Sequence, residues 1–247
     1  MRIALIGYGA MGREIERIAV ERGHSIAHRF DIDNPLPDLL TNTDVAIDFS
    51  NAQHVVRNVR VCMESGVDMV IGTTGWMTQM DAVLDAVNSG ESCVMYGSNF
   101  SIGMQMFNLI VARAAQLMQN AADYDVMLHE LHHKRKADSP SGTAITLANT
   151  ILESLTRKTS MLTETSHGRI ADSQLHVSST RGGEITGTHT VYCDSFSDTI
   201  ELTHRAKNRS GFALGAVLAA EFIPGKKGYL DFADVFEDVL SYTSGVR

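Results

Sequence analysis

The 247-residue sequence has few of the features that mark secreted or membrane proteins. Cysteine is scarce: Cys62, Cys93 and Cys193 are far apart, each within an apolar stretch. This pattern favours buried reduced thiols over a disulfide framework or a cysteine-based metal site, and therefore a reducing compartment. No apolar run reaches the roughly 18 residues of a transmembrane helix, and the N-terminal segment lacks a signal-peptide pattern. We expect a soluble, cytoplasmic protein without a membrane partner.

Positive charge is also scarce. The sequence has 21 Lys and Arg residues against 29 Asp and Glu, which gives a formal net charge of -8 at pH 7. Nucleic-acid binding depends on clustered cations that neutralise phosphates, so we expect no nucleic-acid partner, and any basic site must be local. Hydrophobic residues make up 44% of the chain, enough to bury a core in one large domain or in two smaller ones.

The first hundred residues alternate strand-like and helix-like segments. Residues 3–6 form a short apolar run, and the segment after it carries an apolar stripe at Met11, Ile15 and Ile18, which is typical of a helix. Further strands are predicted at 25–30, 45–49, 69–71 and 93–96, with helices after the strands at 45–49 and 69–71. This alternation predicts the α/β class with a parallel, Rossmann-type sheet that binds ligands at the carboxyl ends of its strands.

Three glycines directly follow the first predicted strand. Gly7, Gly9 and Gly12 spell GxGxxG at the start of a predicted helix, the context that this dinucleotide fingerprint requires. In such a turn the first glycine permits the bend, the second lets the backbone approach a pyrophosphate, and the third allows close helix packing. We therefore expect NADH or NADPH as the cofactor, and a glycine turn without a ligand is the alternative. The cofactor-binding residues predicted in this turn are Gly7, Tyr8, Gly9, Ala10, Met11 and Gly12.

Other strand ends are expected to complete the cofactor site. Asp31 can hydrogen-bond the adenosine ribose, which favours NADH, whereas Arg29 nearby could accommodate the 2′-phosphate of NADPH. The sequence leaves that choice open, and Asp31 could instead simply open a turn. Two further strand ends are rich in backbone donors and hydroxyls and should approach the nicotinamide, although ordinary turns have the same composition. Their residues are Gly72, Thr73 and Thr74, and Ser98, Asn99 and Phe100.

The densest group of ionisable residues follows a predicted helix at 102–121 and a strand that runs into HELHHKRKADSPSGTA. Lys134, Arg135 and Lys136 beside two histidines form a local positive site suited to carboxylates, and residues 141–143 open a helix whose N–H groups also attract anions. A histidine and a lysine in this setting can supply protons to a reacting substrate. The alternative is a solvated charged loop.

The same segment contains H-E-x-x-H at His129–His133, the signature of zinc peptidases. That chemistry needs both histidines on one face of a helix. Here the preceding residues are typical of a strand, and the three neighbouring cations would repel a divalent ion. We therefore expect no metal.

The second half of the chain has a different pattern. After residue 155, strands are predicted at 175–180, 184–193 and 196–205, followed by a helix at 212–222. Successive strands with short turns predict an antiparallel or mixed sheet. We expect residues 1–102 and 213–247 to form the dinucleotide-binding domain and 103–212 to form an α+β substrate-binding and oligomerisation domain.

The charged segment resembles the signature of a known enzyme family. The residues that carry the resemblance are Glu130, His132, His133, Lys136, Asp138, Pro140, Ser141, Gly142, Thr143 and Ala144. The segments GTTG at 72–75, SNFSIG at 98–103 and RGGEITGTHT at 181–190 resemble further blocks in the same order. Along its whole length the chain resembles the dihydrodipicolinate reductase family.

The resemblance implies an activity and a set of roles. The reaction would be NADH- or NADPH-dependent reduction of a small dicarboxylate cyclic imine, 4-hydroxy-tetrahydrodipicolinate, in diaminopimelate and lysine biosynthesis. His132 would be a proton donor or acceptor and Lys136 a proton donor, while His133, Gly142 and Thr143 would bind the substrate carboxylates. The resemblance also implies a homotetramer.

The sequence departs from the family pattern at two places, and two other functions are alternatives. Ser139 stands where alanine is common, and the glycine loop is one residue shorter than in many members, which leaves the coenzyme choice open. A different two-domain dehydrogenase of an amino acid or aldehyde would need another proton donor. A dinucleotide sensor without catalysis would bind the cofactor but turn nothing over.

Overall fold

The structure, a computed structural model, describes residues 1–244. The chain divides into two compact units, Met1–Ile102 with Arg209–Arg247 and Gly103–Asn208. The boundary at residue 213 expected from the sequence falls inside the helix Ser210–Phe222.

The helices and strands follow the predicted alternation in the first hundred residues and turn to successive strands later. In chain order they are β1 (Arg2–Ile6), α1 (Ala10–Glu21), β2 (Ser25–Phe30), β3 (Val45–Asp48), α2 (Val55–Glu64), β4 (Asp68–Ile71), α3 (Met80–Asn88), β5 (Cys93–Tyr96), α4 (Ile102–Met118), β6 (Asp125–His132), α5 (Gly142–Ser154), β7 (Ser160–Leu162), β8 (Gln174–Arg181), β9 (Thr188–Asp194), β10 (Thr199–Arg205), α6 (Ser210–Phe222), β11 (Gly228–Asp231) and α7 (Phe236–Ser244).

The first unit contains a six-stranded parallel sheet in the order β11-β5-β4-β3-β1-β2. Both faces are buried, because alternate residues of β1 belong to different apolar clusters: Ile3 and Leu5 to one, Ala4 and Ile6 to the other. The parallel Rossmann-type sheet predicted from the sequence is therefore confirmed. Its strands all run the same way, so the loops after β1, β3, β4 and β5 emerge at one edge.

The second unit contains a five-stranded mixed sheet in the order β10-β9-β6-β8-β7. The central strand β6 runs antiparallel to β9 and parallel to β8, which confirms the predicted mixed sheet. Residues of α4 and α5 pack with it around Val126, Leu128 and Leu147. The prediction that β9 starts at residue 184 was wrong: the strand begins at Thr188, because Gly183 has a φ of +54° and the chain is still turning there.

The three cysteines are buried with free thiols. Burial, together with the nearby carboxylate of Asp68, raises the pKa of Cys93 to about 11. Within residues 1–244, the helices are too short or too polar to cross a membrane.

Candidate active site

The turn between β1 and α1 holds the three glycines of the fingerprint. Gly7 has a φ of +92°, and a Cβ there would lie 2.3 Å from the backbone oxygen of Phe49. A Cβ on Gly12 would lie 2.5 Å from the backbone oxygen of Gly7. The backbone N–H groups of Gly7 and Tyr8 donate to the Phe30 carbonyl at 2.9 and 3.2 Å, which ties the turn to the end of β2. The packing of the unit itself therefore requires glycine at positions 7 and 12.

Gly9 is small for a different reason. Apart from its neighbours along the chain, no atom of the described residues lies within 4 Å of the position that its Cβ would take. It is the N-cap of α1, and the N–H groups of the following turn, which includes Ala10 and Met11, are those that a helix leaves unpaired internally. An open space beside a helix N-terminus fits the pyrophosphate of a dinucleotide, which a side chain at residue 9 would obstruct.

A cleft of about 400 Å³ lies at the carboxyl ends of β3 and β4. The residues that line it are Met11, Phe49, Ser50, Asn51, Ala52, Gly72, Thr73 and Thr74. The cleft brings Met11 of the glycine turn together with the predicted segment at 72–74. It also adds residues 49–52, which the sequence analysis missed although they directly follow a buried strand.

A buried carboxylate holds the two loops of this cleft in place. Asp48 accepts hydrogen bonds from the backbone N–H and hydroxyl of Ser50 at 2.8 and 2.7 Å, and from the Thr73 hydroxyl at 2.8 Å. Asn58 donates to its other oxygen at 2.8 Å. A Cβ on Gly72 would lie 2.1 Å from the Phe49 ring, so the loop after β4 also packs closely on the loop after β3. The side chain of Thr73 is thus committed to the protein.

The loop after β5 contains the remaining predicted strand-end residues. Phe100 is buried, with its ring centroid 4.6 Å from that of Phe232 and 6.2 Å from that of Phe49. The Asn99 side-chain oxygen accepts from the Ser101 N–H at 2.9 Å, whereas Ser98 is exposed. Phe100 therefore connects this loop to the wall of the cleft by packing.

The end of β2 carries both candidates for coenzyme selection. One oxygen of Asp31 accepts from the N–H groups of Asp33 and Asn34, each at 3.0 Å, so this residue does open a turn. Arg29 donates through two nitrogens to Glu16 of α1, and the Tyr8 hydroxyl donates to the same carboxylate. The bond from Arg29 opposes and outweighs the effect of burial on Glu16 and, with that from Tyr8, lowers its pKa to about 2. The guanidinium expected to meet a 2′-phosphate is therefore already paired.

In the second unit, β6 presents two ionisable residues on its buried face. Burial alternates along the strand, with Val126, Leu128, Glu130 and His132 inward. His129 lies on the other face, where its Nδ1 is 2.7 Å from the Ser178 hydroxyl. His129 and Glu130 thus point to opposite sides of a strand, and the helical arrangement that zinc peptidases need is not formed.

Glu130 is fully buried and strongly hydrogen-bonded. It accepts from the Ser141 N–H at 2.9 Å, the Ser141 hydroxyl, the Ser179 hydroxyl at 2.9 Å and Arg181 Nη2 at 2.7 Å. Burial alone would raise the pKa of this carboxyl group. Hydrogen bonds from His189, Ser141 and Arg181 outweigh that effect and hold the pKa well below its usual range.

His132 lies against this carboxylate, with Nδ1 at 3.2 Å from Glu130 Oε2 and its ring centroid 5.3 Å from that of His189. Burial lowers the pKa of His132 to about 4; the Glu130 carboxylate raises it, and His189, Lys136 and Arg181 lower it further. The imidazole is therefore neutral near pH 7 in the free protein.

The cations after β6 have different surroundings. Lys136 forms an ion pair with Asp138 at 2.7 Å, and its side chain is 24% exposed. Arg135 forms a two-pronged pair with Glu184, each contact 2.6 Å, and both side chains are largely exposed. The charge of Arg135 is therefore neutralised by a carboxylate at the surface. The basic patch expected from Lys134, Arg135 and Lys136 thus has fewer than three uncompensated positive charges.

The predicted carboxylate-binding residues lie in the same turn and at the start of α5. The His133 N–H donates to the Ile185 carbonyl at 2.8 Å. Gly142 is exposed at the first residue of α5, whose N-cap Ser141 accepts from the Ala144 N–H at 3.2 Å. Thr143 follows it in the first helical turn. The N-terminus of α5 thus carries N–H groups that favour an anion, and the Gly142 N–H already faces the Asp138 carboxylate.

The donor atoms of Glu130, His132 and His189 lie within 4.8 Å of one another, a separation that a metal ion could bridge. The carboxylate is nevertheless saturated by serine hydroxyls and a guanidinium. A cation as close as Arg181 opposes a second, divalent charge. The chemistry of this donor set is that of a buried ion pair.

The structure resolves the sequence-predicted site into two local groups. The glycine turn and the cleft belong to the first unit, and the residues around Glu130 belong to the second. Arg181 and His189, which belong to the 181–190 block of the family resemblance, both lie against Glu130. Sequence reasoning gave no role to Glu130 beyond its place in the motif.

The chain matches two family models that together cover most of its length. The one described as "Dihydrodipicolinate reductase, N-terminus" matches residues 1–100, and the one described as "Dihydrodipicolinate reductase, C-terminus" matches residues 103–236.

Individual relatives agree with this match. A 4-hydroxy-tetrahydrodipicolinate reductase of Christiangramia forsetii is 41% identical over 240 residues, 97% of this chain and 99% of the relative. One from an Anaeromyxobacter species is 40% identical over 205 residues, 81% of this chain and 75% of the relative. The fold is similar to that of a dipicolinate-bound dihydrodipicolinate reductase from Paenisporosarcina sp. TG-14, with a TM-score of 0.76, 21% identity, and coverage of 95% of this chain and 99% of that one. The chain belongs to the dihydrodipicolinate reductase family.

Proposed function

We propose that this chain reduces the cyclic imine 4-hydroxy-tetrahydrodipicolinate to tetrahydrodipicolinate with NADH or NADPH, a step of diaminopimelate and lysine biosynthesis. The hydroxylated substrate gains one hydride and one proton and loses water. The observation that carries the proposal is the arrangement at the end of β6 and just after it: a neutral histidine, a lysine and a helix N-terminus. The chain matches its family relatives along nearly its whole length.

The first unit binds the coenzyme, which supplies the hydride. The glycine turn from Gly7 to Gly12 receives the pyrophosphate, as the open space beside Gly9 supports. Asp31 contacts the adenosine ribose, and the loops at 72–74 and 98–100 bound the nicotinamide end. Asp48 keeps the first of these loops in place through Thr73.

The second unit binds the substrate and moves the proton. Two carboxylates on the substrate are held by His133 and by the N–H groups at Gly142 and Thr143. Lys136 carries a proton and donates it as hydride adds. His132 is neutral in the free protein, and the negative charge of a bound dicarboxylate raises its pKa, so that it can accept or return a proton.

The test is turnover by the purified chain with enzymatically generated substrate, followed by the loss of NADH or NADPH absorbance. We expect wild-type turnover, and a fall in kcat of roughly 10²–10⁴-fold in Lys136→Met and His132→Gln with coenzyme affinity unchanged. His129→Gln is the matched control, because His129 lies on the opposite face of the same strand. Coenzyme binding without turnover would support a sensor instead, and turnover that survives both substitutions would refute the assigned roles.

We propose a homotetramer, on the support of two different surfaces in the second unit. One face of α4 exposes Met106, Leu109, Ile110 and Leu117, and β10 is an edge strand of its sheet. Two different self-complementary surfaces are what a tetramer with dihedral symmetry uses. Light scattering should give four times the chain mass of 27.0 kDa, and Ile110→Glu should reduce it while Val20→Glu, an exposed apolar residue of the first unit, should not. A monomeric wild type would refute this assembly.

We also propose that the protein works in the cytoplasm. The three free, buried thiols support a reducing compartment. Immunodetection after cell fractionation tests this, and recovery from an oxidising compartment would contradict it.

A further inference from the structure

Glu130 is the most deeply buried charged group of the second unit's candidate site, with 0% exposure. Its inward neighbours along β6 are Val126 and Leu128, so the strand passes from apolar to charged on the same face. A buried carboxylate is unfavourable unless hydrogen bonds and an opposite charge compensate it. What compensates it here is a set of residues next to those assigned to substrate.

The first of these is the start of α5. Ser141 donates to Glu130 through both its N–H and its hydroxyl, and that hydroxyl accepts from the Ala144 N–H. Because a hydroxyl has one proton and can accept as well, Ser141 links the carboxylate directly to the helix N-terminus. The position of Gly142 and Thr143, the next two residues, therefore depends on Glu130.

The second is His132. Its Nδ1 lies 3.2 Å from Glu130 Oε2 in a contact that falls short of hydrogen-bond geometry, and this nitrogen has no other hydrogen-bond partner among the described residues. The carboxylate favours a proton on Nδ1, which leaves Nε2 of the neutral ring as the acceptor. A Cβ on Gly187 would lie 3.0 Å from that Nε2, so glycine at this position keeps space beside it.

The third is the local charge. The cations and ring that face His132 beside Glu130 are Arg181, Lys136 and His189. Arg181 Nη2 lies 2.7 Å from Glu130 Oε1. Without the negative charge of Glu130, the Arg181 guanidinium would lose its carboxylate partner and keep, among the described residues, only the backbone carbonyls of Thr180 and Asp138. Its positive charge would then act on the imidazole of His132 without compensation.

We propose that Glu130 is a positioning residue of this site: its carboxylate sets the N-terminus of α5 and the orientation and charge of His132 together. The inference rests on the proposed function, since it concerns the same substrate site. It goes further because it makes substrate binding and proton transfer depend on one residue that touches neither substrate nor coenzyme.

The principal test uses Glu130→Gln, which keeps the shape and removes the charge. The probe is pyridine-2,6-dicarboxylate, a flat dicarboxylate that cannot be reduced at this site, and its affinity is measured by calorimetry. We expect a roughly tenfold loss of affinity and a fall in kcat of about 100-fold, with the NADH Kd unchanged. The acidic limb of the kcat–pH profile should move down by about one pH unit, because the carboxylate no longer raises the imidazole pKa. A structural role alone would reduce the amount of folded protein without moving that limb.

Two serine variants form a matched pair. Ser141→Ala and Ser179→Ala each delete one hydroxyl donor to the same carboxylate, but only Ser141 caps α5. Ser141→Ala should weaken dicarboxylate binding about tenfold, and Ser179→Ala less than about threefold. This pair carries the test if Glu130→Gln does not fold. The exposed Glu91→Gln, in the other unit, is the control for a carboxyl-to-amide change.

The outcomes separate the two proposals. A wild type that neither binds the dicarboxylate nor turns over substrate refutes the proposed function. If the wild type does both, two results would refute the positioning role of Glu130. One is that Glu130→Gln keeps the wild-type dicarboxylate affinity and the wild-type acidic limb. The other is that Ser141→Ala and Ser179→Ala have equally small effects on dicarboxylate affinity.

Discussion

Substitutions in the glycine turn should affect protein stability and coenzyme affinity separately. In Gly9→Ala the new methyl group meets no described atom within 4 Å apart from its chain neighbours, and the residue has a φ of -87°, which alanine adopts readily. A glycine-to-alanine change at a compatible position changes stability by about 0.4–1 kcal/mol in the favourable direction. Gly9 is also the N-cap of α1, where alanine is less favourable than glycine by up to about 1 kcal/mol. We therefore expect the stability of Gly9→Ala to lie within about 1 kcal/mol of that of the wild type.

The cost should appear in coenzyme binding. If the pyrophosphate occupies the space beside Gly9, a methyl group there displaces it from one or more N–H donors of the helix start. A hydrogen bond to a charged group contributes about 1.5–3 kcal/mol. This corresponds to a rise in the NADH Kd of roughly 10- to 150-fold.

Gly7→Ala should show the opposite balance. Its φ of +92° is strained for alanine, at about 1–2 kcal/mol. A Cβ 2.3 Å from a backbone oxygen adds a contact that only a backbone shift can relieve, at a further cost of about 1–3 kcal/mol.

Urea denaturation and titration of NADH fluorescence measure the two quantities separately. Gly168→Ala is the control, because it also has open space at its Cβ but lies in the second unit. The reasoning is refuted if Gly9→Ala binds NADH as well as Gly168→Ala does, or if Gly9→Ala is as unstable as Gly7→Ala.

Two further predictions use the charged groups. Glu16→Gln should weaken the ion pair with Arg29 and so free the guanidinium for a 2′-phosphate. We expect the ratio of kcat/KM for NADPH to that for NADH to rise about tenfold. Glu14→Gln, on the same helix, is the control, and an unchanged ratio in Glu16→Gln would show that Arg29 does not meet the coenzyme. His132→Gln should flatten the dependence of stability on pH. The folded-state pKa of about 4 lies below the unfolded value, so the histidine's contribution is complete above about pH 6.5 and is lost as the pH falls toward 4. The wild-type free energy of unfolding should therefore fall by at most about 1.4 kcal/mol per pH unit more than that of the variant in this window, and parallel curves from urea denaturation would contradict it.

Much of the fold could be predicted because its patterns are local. Residues 3–6 of β1 and the whole of β5 are short buried apolar runs, and α1 has a clear apolar stripe. The strands that the sequence analysis missed, β7 and β11, have three and four residues and only partly buried or exposed side chains. Their formation depends on pairing with β8 and β5, which no local pattern encodes.

The candidate site was predictable only in part, for the same reason. The glycine turn at residues 7–12 is one short segment of sequence, and the histidine and lysine of the motif lie within another. Each can therefore be recognised as a local pattern. The cleft also needs residues 49–52, whose side chains look ordinary until β3 and β4 place them beside Thr73. Arg181 lies 51 residues from its partner Glu130, and spacing alone does not indicate such a contact.

The period of β6 nevertheless contains a signal that can be read from the sequence. A strand with Val126 and Leu128 on its buried face must place Glu130 and His132 on that face too, because side chains alternate with a period of two. Burying a carboxylate and an imidazole beside each other lowers stability unless partners are supplied, and a core that needed only to be stable would use apolar residues there. Local conflict of this kind is concentrated at functional sites. At the end of β6 the sequence therefore places ionisable residues where stability alone would favour apolar ones. Substitution of the residues around Glu130 should change catalysis more than substitution elsewhere in the second unit.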